Sequence, residues 1–286
     1  MVTVHTKLIS LLGCPLEQTL APQMFNETFR KLNLDYFYFP IEIGQDKLEA
    51  VVNGIRCMNY AGFNVTKPNK IKILDYLDEM DELAEIIGSV NVVTIRNGKL
   101  KGYNTDGIGF VQALLDETGM DLGNNTFLIL GAGGAGRALS STLAYQGAKK
   151  LYIIDKIDEA SSSLAENINR KIRECAEFVE FDSAPVRQLI QKSDVLVNAT
   201  GVGMQPHIER TPVSKELLHK DLFVCDLIYN PLKSRLLLDA EQAGCRTMNG
   251  IDMAIIQGIK GFALMTGLPE PASIMREAMY KLIDGR

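Results

Sequence analysis

Two polar stretches of the sequence place reactive side chains directly beside apolar segments. Asn64, Thr66 and Lys70 lie in "NVTKPNK" (64–70), just past a strand-like stretch, and Asp106 lies in "GYNTDG" further along. A lysine amine can exchange a proton with a carbonyl or alcohol oxygen, and a neighbouring carboxylate can orient that amine. The residue types therefore predict that Lys70 and Asp106 form a proton-transfer pair in a carbonyl–alcohol redox reaction.

Both residues also have a purely structural alternative. Composition alone favours a solvated surface lysine that begins a helix at Lys70, and Asp106 is equally well explained as the N-cap of a helix over 107–116. Spacing alone leaves these alternatives open.

The second chemical motif is the glycine loop "GAGGAG" (131–136), which has GxGxxG spacing. It follows an apolar strand pattern and precedes a helical one, so its backbone N–H groups are expected to hold a pyrophosphate. Asp155 comes 19 residues after Gly136. A carboxylate there accepts the ribose hydroxyls of NAD and repels the 2′-phosphate of NADP.

NAD is therefore the predicted cofactor, with NADP as the second option because Lys156 follows Asp155 directly. The alternative is a tight turn that binds no ligand, with Asp155 capping the next helix.

The elements that must position these residues fall into two groups. Strand and helix patterns alternate between residues 126 and 248, which predicts a doubly wound parallel sheet of the Rossmann type. The earlier part of the chain holds further strand candidates and a β-hairpin that turns at Asn97-Gly98. The end of the chain is helical and has no strand partner of its own.

We therefore predict an α/β protein of two domains. Residues 1–106 with 251–286 are expected to form a substrate-binding and catalytic domain with a mixed sheet, to which the C-terminal helices return. Residues 107–250 are expected to form the dinucleotide-binding domain. Hinge positions are expected near residues 105–110 and 250, where the chain passes from one domain to the other.

Composition narrows the function classes. The chain has 286 residues, of which 46% are apolar and 23% charged, and a net charge of −5. Since no basic run or long apolar span is present, neither a nucleic-acid nor a membrane partner is expected. The five cysteines form no CxxC motif and the N-terminus shows no secretory signal. These features predict that the protein is located in the reducing cytoplasm. The three histidines lie far apart, so no metal site is predicted.

Eight stretches, taken together and in this order, resemble the shikimate dehydrogenase family, including its quinate/shikimate dehydrogenase branch. They are "GCPLEQTLAP" (13–22), "GFNVTKPNK" (62–70), "IGSVNVV" (87–93), "GYNTDG" (102–107), "LGAGGAGRA" (130–138), "NATGVGM" (198–204), "DLIYNP" (226–231) and "NGIDMAIIQG" (249–258). The resemblance implies nicotinamide-dependent interconversion of shikimate or quinate and its 3-dehydro form. The expected partner is a small cyclic polyhydroxy acid, and the chain is expected to be a monomer or a homodimer.

The resemblance also implies roles for individual residues. It implies that Lys70 is the catalytic lysine and Asp106 its partner, with Asn64 at the substrate-facing strand end. The implied substrate contacts are Thr19, Tyr38, Thr66, Asn91, Tyr229 and Gln257. The implied cofactor contacts are Gly131, Ala132, Gly133, Gly134, Ala135, Asp155, Thr200, Leu227 and Gly250.

One segment departs from the family pattern. The family usually carries a Ser-x-Ser pair before a proline, where it binds the substrate carboxylate, whereas this chain reads Gln18-Thr19-Leu20-Ala21-Pro22. Thr19 retains one hydroxyl and Ala21 cannot supply the second. The alternative substrates are therefore quinate or a related acid such as aminoshikimate. A non-catalytic, nucleotide-sensing regulator is disfavoured because Lys70 and Asp106 are both present.

Overall fold

The computed structural model describes residues 2–17, 19–181 and 185–284. Within these residues the chain forms two six-stranded sheets. It divides into two compact units, unit 1 (Met1–Thr105 and Ile255–Arg286) and unit 2 (Asp106–Ala254). The predicted fold class is confirmed, with a mixed sheet in unit 1 and a parallel sheet in unit 2. No helix of the described ranges is long and apolar enough to cross a membrane.

Unit 1 is built around the mixed sheet. Its strands are β1 (Lys7–Gly13), β2 (Tyr36–Glu42), β3 (Tyr60–Val65), β4 (Glu79–Met80), β5 (Val92–Arg96) and β6 (Lys99–Tyr103). They lie in the order β2-β1-β3-β5-β6-β4. The first three strands are parallel, so their carboxyl ends meet at one edge of the sheet, while β5 runs antiparallel to β3 and β6.

Local sequence explains the two clearest features of this sheet. Every residue of β3 is buried, as expected for a strand with neighbours on both sides. The β5–β6 hairpin turns at Asn97 and Gly98, whose φ values of 52° and 77° confirm the predicted tight turn. The helices of this part are α1 (Ala21–Lys31), α2 (Leu48–Arg56), α3 (Asn69–Lys72) and α4 (Glu82–Ile87).

Unit 2 contains the parallel sheet, in the order β12-β11-β10-β7-β8-β9. Its strands are β7 (Thr126–Leu130), β8 (Lys150–Ile154), β9 (Ala176–Phe178), β10 (Val195–Asn198), β11 (Phe223–Asp226) and β12 (Arg246–Met248). Its helices are α5 (Asp106–Thr118), α6 (Gly134–Tyr145), α7 (Asp158–Lys171), α8 (Val186–Lys192) and α9 (Arg235–Gln242). The strand order reverses between β7 and β10, which creates the switch point where α/β sheets bind ligands.

Two helices complete the chain, α10 (Ile251–Thr266) and α11 (Ala272–Asp284). Lys31 of α1 donates to Glu277 of α11 at 2.7 Å. A Cβ on Gly258 would lie 2.7 Å from the Met24 side chain, so α10 packs closely on α1 there. The C-terminal helices therefore return to the N-terminal sheet, as the sequence predicted.

Candidate active site

The loops that follow β1, β2 and β3 hold one another in place at the carboxyl edge of the unit 1 sheet. The Thr66 N–H donates to the Leu12 carbonyl at 2.9 Å, and Asn69 Nδ2 donates to the Ile43 carbonyl at 3.1 Å. Asn69 is fully buried, so this second bond is screened from water. The segment that carries Thr66 and Lys70 is therefore fixed by three strands at once.

Lys70 lies on the short helix α3 and is half-buried. Its carbonyl accepts a hydrogen bond from the Val90 N–H at 2.9 Å. Val90 precedes Asn91, which lies directly before β5, so the backbone of Lys70 is tied to the segment that carries a predicted substrate ligand. The lysine is thus held on a fixed backbone, as a preorganised site requires.

A chain of buried hydrogen bonds joins β2, β3 and β5. The Tyr38 hydroxyl donates to Asn64 Oδ1 at 3.0 Å, and Asn64 Nδ2 donates to the Asn91 carbonyl at 3.2 Å. Tyr38 is only 1% exposed, and its ring stacks on Phe25 with centroids 4.6 Å apart. Burial raises the pKa of Tyr38 far above its usual range, so its hydroxyl is a permanent donor. The tyrosine fixes which way the Asn64 amide faces.

The same chain continues to the end of the unit. Asn91 Oδ1 accepts from the Thr105 N–H at 2.8 Å, and Asn91 Nδ2 donates to Thr105 Oγ1 at 2.9 Å and to Gln257 Oε1 at 3.4 Å. The Thr105 hydroxyl also contacts the Gln257 carbonyl at 3.2 Å. The structure therefore brings Tyr38, Asn91 and Gln257 into one network. Thr105 was not among the predicted site residues.

The Thr19 side chain supports the start of α1. Its Oγ1 accepts a hydrogen bond from the Ala21 N–H at 3.3 Å, and no acidic residue lies in the first turn of the helix. Gln18, which belongs to the same departing segment, lies outside the described residues. The Thr19 hydroxyl is thus held beside the N-terminus of α1. The first N–H groups of a helix have no intrahelical partner, and they favour an anion.

Asp106 is the first residue of α5 in unit 2 and is buried. It directly follows Thr105, which the Asn91 side chain holds in unit 1. A Cβ on Gly107 would lie 2.0 Å from Thr142 Oγ1 and 2.5 Å from the Ala138 carbonyl. Because only glycine permits this close packing of α5 on α6, the start of α5 is fixed within unit 2.

The glycine loop follows β7 at the switch point. Gly131 has φ +104°, and its N–H donates to the Ile154 carbonyl at 2.7 Å. A Cβ on Gly136 would lie 1.9 Å from the Gly131 carbonyl oxygen, so this glycine is needed for the turn itself. A Cβ on Gly133, in contrast, would meet nothing within 4 Å. The backbone of Gly133 is therefore open to a ligand, and it leads directly into Gly134 and Ala135 in the first turn of α6.

Asp155 ties the next strand to this loop. Its Oδ2 accepts from the Ala132 N–H at 2.6 Å, and its Oδ1 accepts from the Ile157 N–H at 3.0 Å. The carboxylate thus supports the glycine loop as well as the turn before α7. A half-buried carboxylate at the end of β8 is chemically suited to the ribose hydroxyls of a dinucleotide.

The remaining predicted cofactor residues follow the strands on the other side of β7. Thr200 donates from its N–H and its hydroxyl to Asn198 Oδ1, at 3.1 and 2.6 Å. A Cβ on Gly250 would lie 2.0 Å from the Leu227 carbonyl, so these two backbones touch. Tyr229, a predicted substrate contact, is half-buried in the loop after β11. All four residues lie at the carboxyl edge of the parallel sheet.

A buried carboxylate, which sequence reasoning missed, holds two of these loops together. Asp226 accepts from Asn198 Nδ2 at 3.1 Å, from the Ile228 N–H at 3.0 Å and from the Ser234 hydroxyl. It is 1% exposed, and burial raises the pKa of this carboxyl. The available signal was a pair of polar residues, Asn198 and Asp226, at the ends of two otherwise apolar strands.

Comparison with known proteins shows that most of the chain is similar to shikimate dehydrogenases. Residues 11–93 match the family model described as "Shikimate dehydrogenase substrate binding domain", and residues 113–231 match "Shikimate / quinate 5-dehydrogenase". The chain is 41% identical over 277 residues to the shikimate dehydrogenase (NADP(+)) of Alkaliphilus metalliredigens, which covers 96% of both chains.

Two crystal structures show the same similarity. One is shikimate 5-dehydrogenase from Listeria monocytogenes in complex with shikimate and NAD, which is 40% identical with a TM-score of 0.88, covering 96% of this chain and 97% of that one. The other is a shikimate dehydrogenase in complex with NADP+, which is 37% identical with a TM-score of 0.91, covering 99% and 98%. The similarity thus extends through both units.

Proposed function

This chain belongs to the shikimate dehydrogenase family, and we propose that it interconverts shikimate and its 3-dehydro form with a nicotinamide cofactor. The observation that carries the proposal is the hydrogen-bond network of Asn64, Asn91 and Gln257, which adjoins the Val90–Lys70 backbone hydrogen bond. Amide and hydroxyl groups can form hydrogen bonds with the hydroxyls of a substrate ring. A wrong substrate, which lacks such a hydroxyl, leaves a buried polar group unpaired and is therefore disfavoured. Thr66 and Tyr229 are proposed as further substrate contacts.

Lys70 and Asp106 are proposed to handle the proton. During oxidation the Lys70 amine accepts the proton of the reacting hydroxyl, and during reduction it returns that proton to the carbonyl oxygen. Asp106 orients the amine and balances its charge. The backbone hydrogen bond that holds Lys70 within unit 1 supports its role, since proton transfer requires a well-positioned amine.

A bound nicotinamide dinucleotide supplies the hydride acceptor or donor. The residues of unit 2 fit such a group, because the open backbone at Gly133 and the carboxylate of Asp155 match a pyrophosphate and a ribose. We propose that NAD is preferred over NADP, since a carboxylate at Asp155 repels a 2′-phosphate. Thr200, Leu227 and Gly250 are proposed to line the same cofactor.

Quinate or a related cyclic hydroxy acid is the second candidate substrate. It is favoured by Ala21, which has no hydroxyl where the family usually places a serine. The Thr19 hydroxyl already accepts from the Ala21 N–H, so it can offer a substrate carboxylate only its own O–H. One lost hydrogen bond to a carboxylate costs about 1.5–3 kcal/mol.

The test is a matrix of cofactor-reduction rates with NAD or NADP and with shikimate, quinate or aminoshikimate. We expect turnover on shikimate with kcat/KM higher for NAD than for NADP. Turnover on quinate alone would replace shikimate as the substrate. Absence of turnover on every acid, from protein that binds NAD, would contradict the proposed activity.

A further inference from the structure

One side chain of the glycine-loop motif has no role in the scheme above. Arg137 is the fourth residue of α6, one turn past Gly133, and its side chain is half-buried. Among residues 2–17, 19–181 and 185–284, no hydrogen bond, ion pair or aromatic ring engages its guanidinium. Burial alone lowers the pKa of Arg137, with no neighbouring carboxylate to offset the effect. By contrast, Arg235 in the same unit pairs with Asp239 at 2.9 Å.

The helix geometry indicates where this cation lies. Gly136 approaches Gly131 after β7, and Ala138 and Thr142 approach Gly107 of α5. Successive residues of a helix are rotated by about 100°. Arg137 therefore lies on the flank of α6 that is turned away from α5. Helix α6 also contacts α7, and the turn before α7 begins at Asp155.

A half-buried guanidinium without an anion is energetically costly, because it has lost part of its hydration and gained no partner. Arginine also remains charged at any pH that the protein meets. Its planar fork matches the oxygens of a phosphate with two parallel hydrogen bonds. Such a group beside a glycine loop and a helix N-terminus is suited to an anionic ligand rather than to a structural role.

We propose that Arg137 binds a phosphate group of the dinucleotide. The proposal rests on the proposed function, which supplies the ligand. Two phosphates share this chemistry, the pyrophosphate at the glycine loop and the 2′-phosphate of NADP at the Asp155 side. Either phosphate would neutralise the charge of the Arg137 guanidinium, for which the described part of the chain provides no ion-pair partner.

The experiment compares wild type with Arg137→Gln and Arg137→Lys by calorimetric titration of NAD, NADP and ADP-ribose. Loss of a charge-assisted bond predicts a roughly tenfold to hundredfold weaker affinity for Arg137→Gln, with part of it restored in Arg137→Lys. Equal losses for all three ligands identify the pyrophosphate. A loss confined to NADP identifies the 2′-phosphate. Unchanged affinities would overturn the proposal.

A second readout separates ligand binding from a structural role. Removing an unpaired buried charge should leave the melting temperature of the ligand-free protein unchanged or higher, while the increase caused by NAD becomes smaller. A ligand-free protein that melts lower while binding NAD normally would show a structural arginine and overturn the proposal. Should Arg137→Gln fail to fold, Arg137→Lys carries the same comparison.

The matched control is Arg170→Gln, which removes the same charge from an exposed position on α7. It is expected to bind all three ligands as wild type does, and an equal loss in both variants would overturn a specific role for Arg137. Failure of this proposal is distinct from failure of the proposed function. The first appears as wild-type affinity in the variant, and the second as NAD binding without turnover on any acid.

Discussion

The two regions proposed to bind ligands use opposite means. In unit 1, buried side-chain amides such as Asn64 and Asn91 are held by other side chains, so their hydrogen-bonding capacity is partly committed before a ligand arrives. In unit 2, the glycine loop offers backbone groups, and Gly133 has open space where a side chain would be. The proposed recognition in unit 1 depends on which side chains are present, and the proposed recognition in unit 2 depends on their absence.

The largest effect on activity is expected at Lys70, because this residue is proposed to act in the chemical step and not in cofactor binding. Lys70→Ala should lower kcat by roughly 10²–10⁴-fold, the usual contribution of a positioned acid–base group. Cofactor affinity should not change, because the lysine belongs to unit 1. Steady-state kinetics and NAD titration check both statements. Lys72→Ala, an exposed lysine on the same helix, is the control, and equal losses in the two variants would contradict the assignment.

The glycine loop offers a sharper test of the unit 2 half of the comparison. Gly133→Ala adds a Cβ that meets no protein atom, so the ligand-free protein should melt as wild type does. The same methyl group occupies the space proposed for phosphate, and NAD affinity should fall by roughly tenfold or more. Calorimetric titration and thermal melting measure the two effects. Unchanged affinity would show that no ligand approaches this backbone.

Gly136→Ala should behave differently from Gly133→Ala. Its Cβ would lie 1.9 Å from the Gly131 carbonyl, so the backbone must move. Both the melting temperature and the NAD affinity should therefore fall together. If the two alanine variants behaved alike, the distinction between a structural and a ligand-facing glycine would be wrong.

In unit 1 the corresponding test removes one support of the network. Tyr38→Phe deletes the donor to Asn64 Oδ1 and leaves a buried acceptor unpaired, which should cost about 1–3 kcal/mol of stability. The substrate KM should rise because the Asn64 amide is then free to rotate, while kcat changes less. Thermal melting and kinetics measure these effects.

Tyr36→Phe is the control for this variant, since no hydrogen bond of the Tyr36 hydroxyl occurs among the described residues. An equal rise in KM in both variants would contradict the role of Tyr38.

The difference between the two regions also explains which structural features could be predicted from the sequence and which could not. Glycine spacing, strand–helix alternation and the Asn97-Gly98 turn are local signals, and each predicted its structure correctly. The Tyr38–Asn64 bond joins residues 26 apart through two strands that pair with β1 and not with each other. The Asp226–Ser234 bond depends on a loop conformation. Such contacts arise only from tertiary packing, which no local pattern records.

A smaller effect is expected at Asp155, where a side chain does assist the backbone loop. Asp155→Asn removes the charge that repels a 2′-phosphate, so the ratio of kcat/KM for NADP over NAD should rise by roughly tenfold. An asparagine oxygen can still accept from only one of the two N–H groups bound by the carboxylate, so a slight loss of stability should accompany the change. Kinetics with both cofactors provide the measurement. Glu159→Gln, an exposed charge on α7, should leave the ratio unchanged, and an unchanged ratio in Asp155→Asn would place cofactor discrimination elsewhere.

The smallest expected effect concerns Asp226, whose carboxyl pKa is raised by burial despite three hydrogen-bond donors. A raised pKa means that the folded protein binds the proton more tightly than the unfolded chain. This group's contribution to stability is therefore full below the ordinary carboxyl pKa and is lost as pH rises through the folded pKa. Asp226→Asn has no group that titrates at this position. Over this pH range its melting temperature should therefore change less with pH than that of wild type, by roughly 2–4 °C at most. Glu166→Gln, which removes an exposed carboxyl on α7, should leave the slope as in wild type. A slope that persists in Asp226→Asn would mean that another group titrates in this pH range and that burial of Asp226 is not its cause.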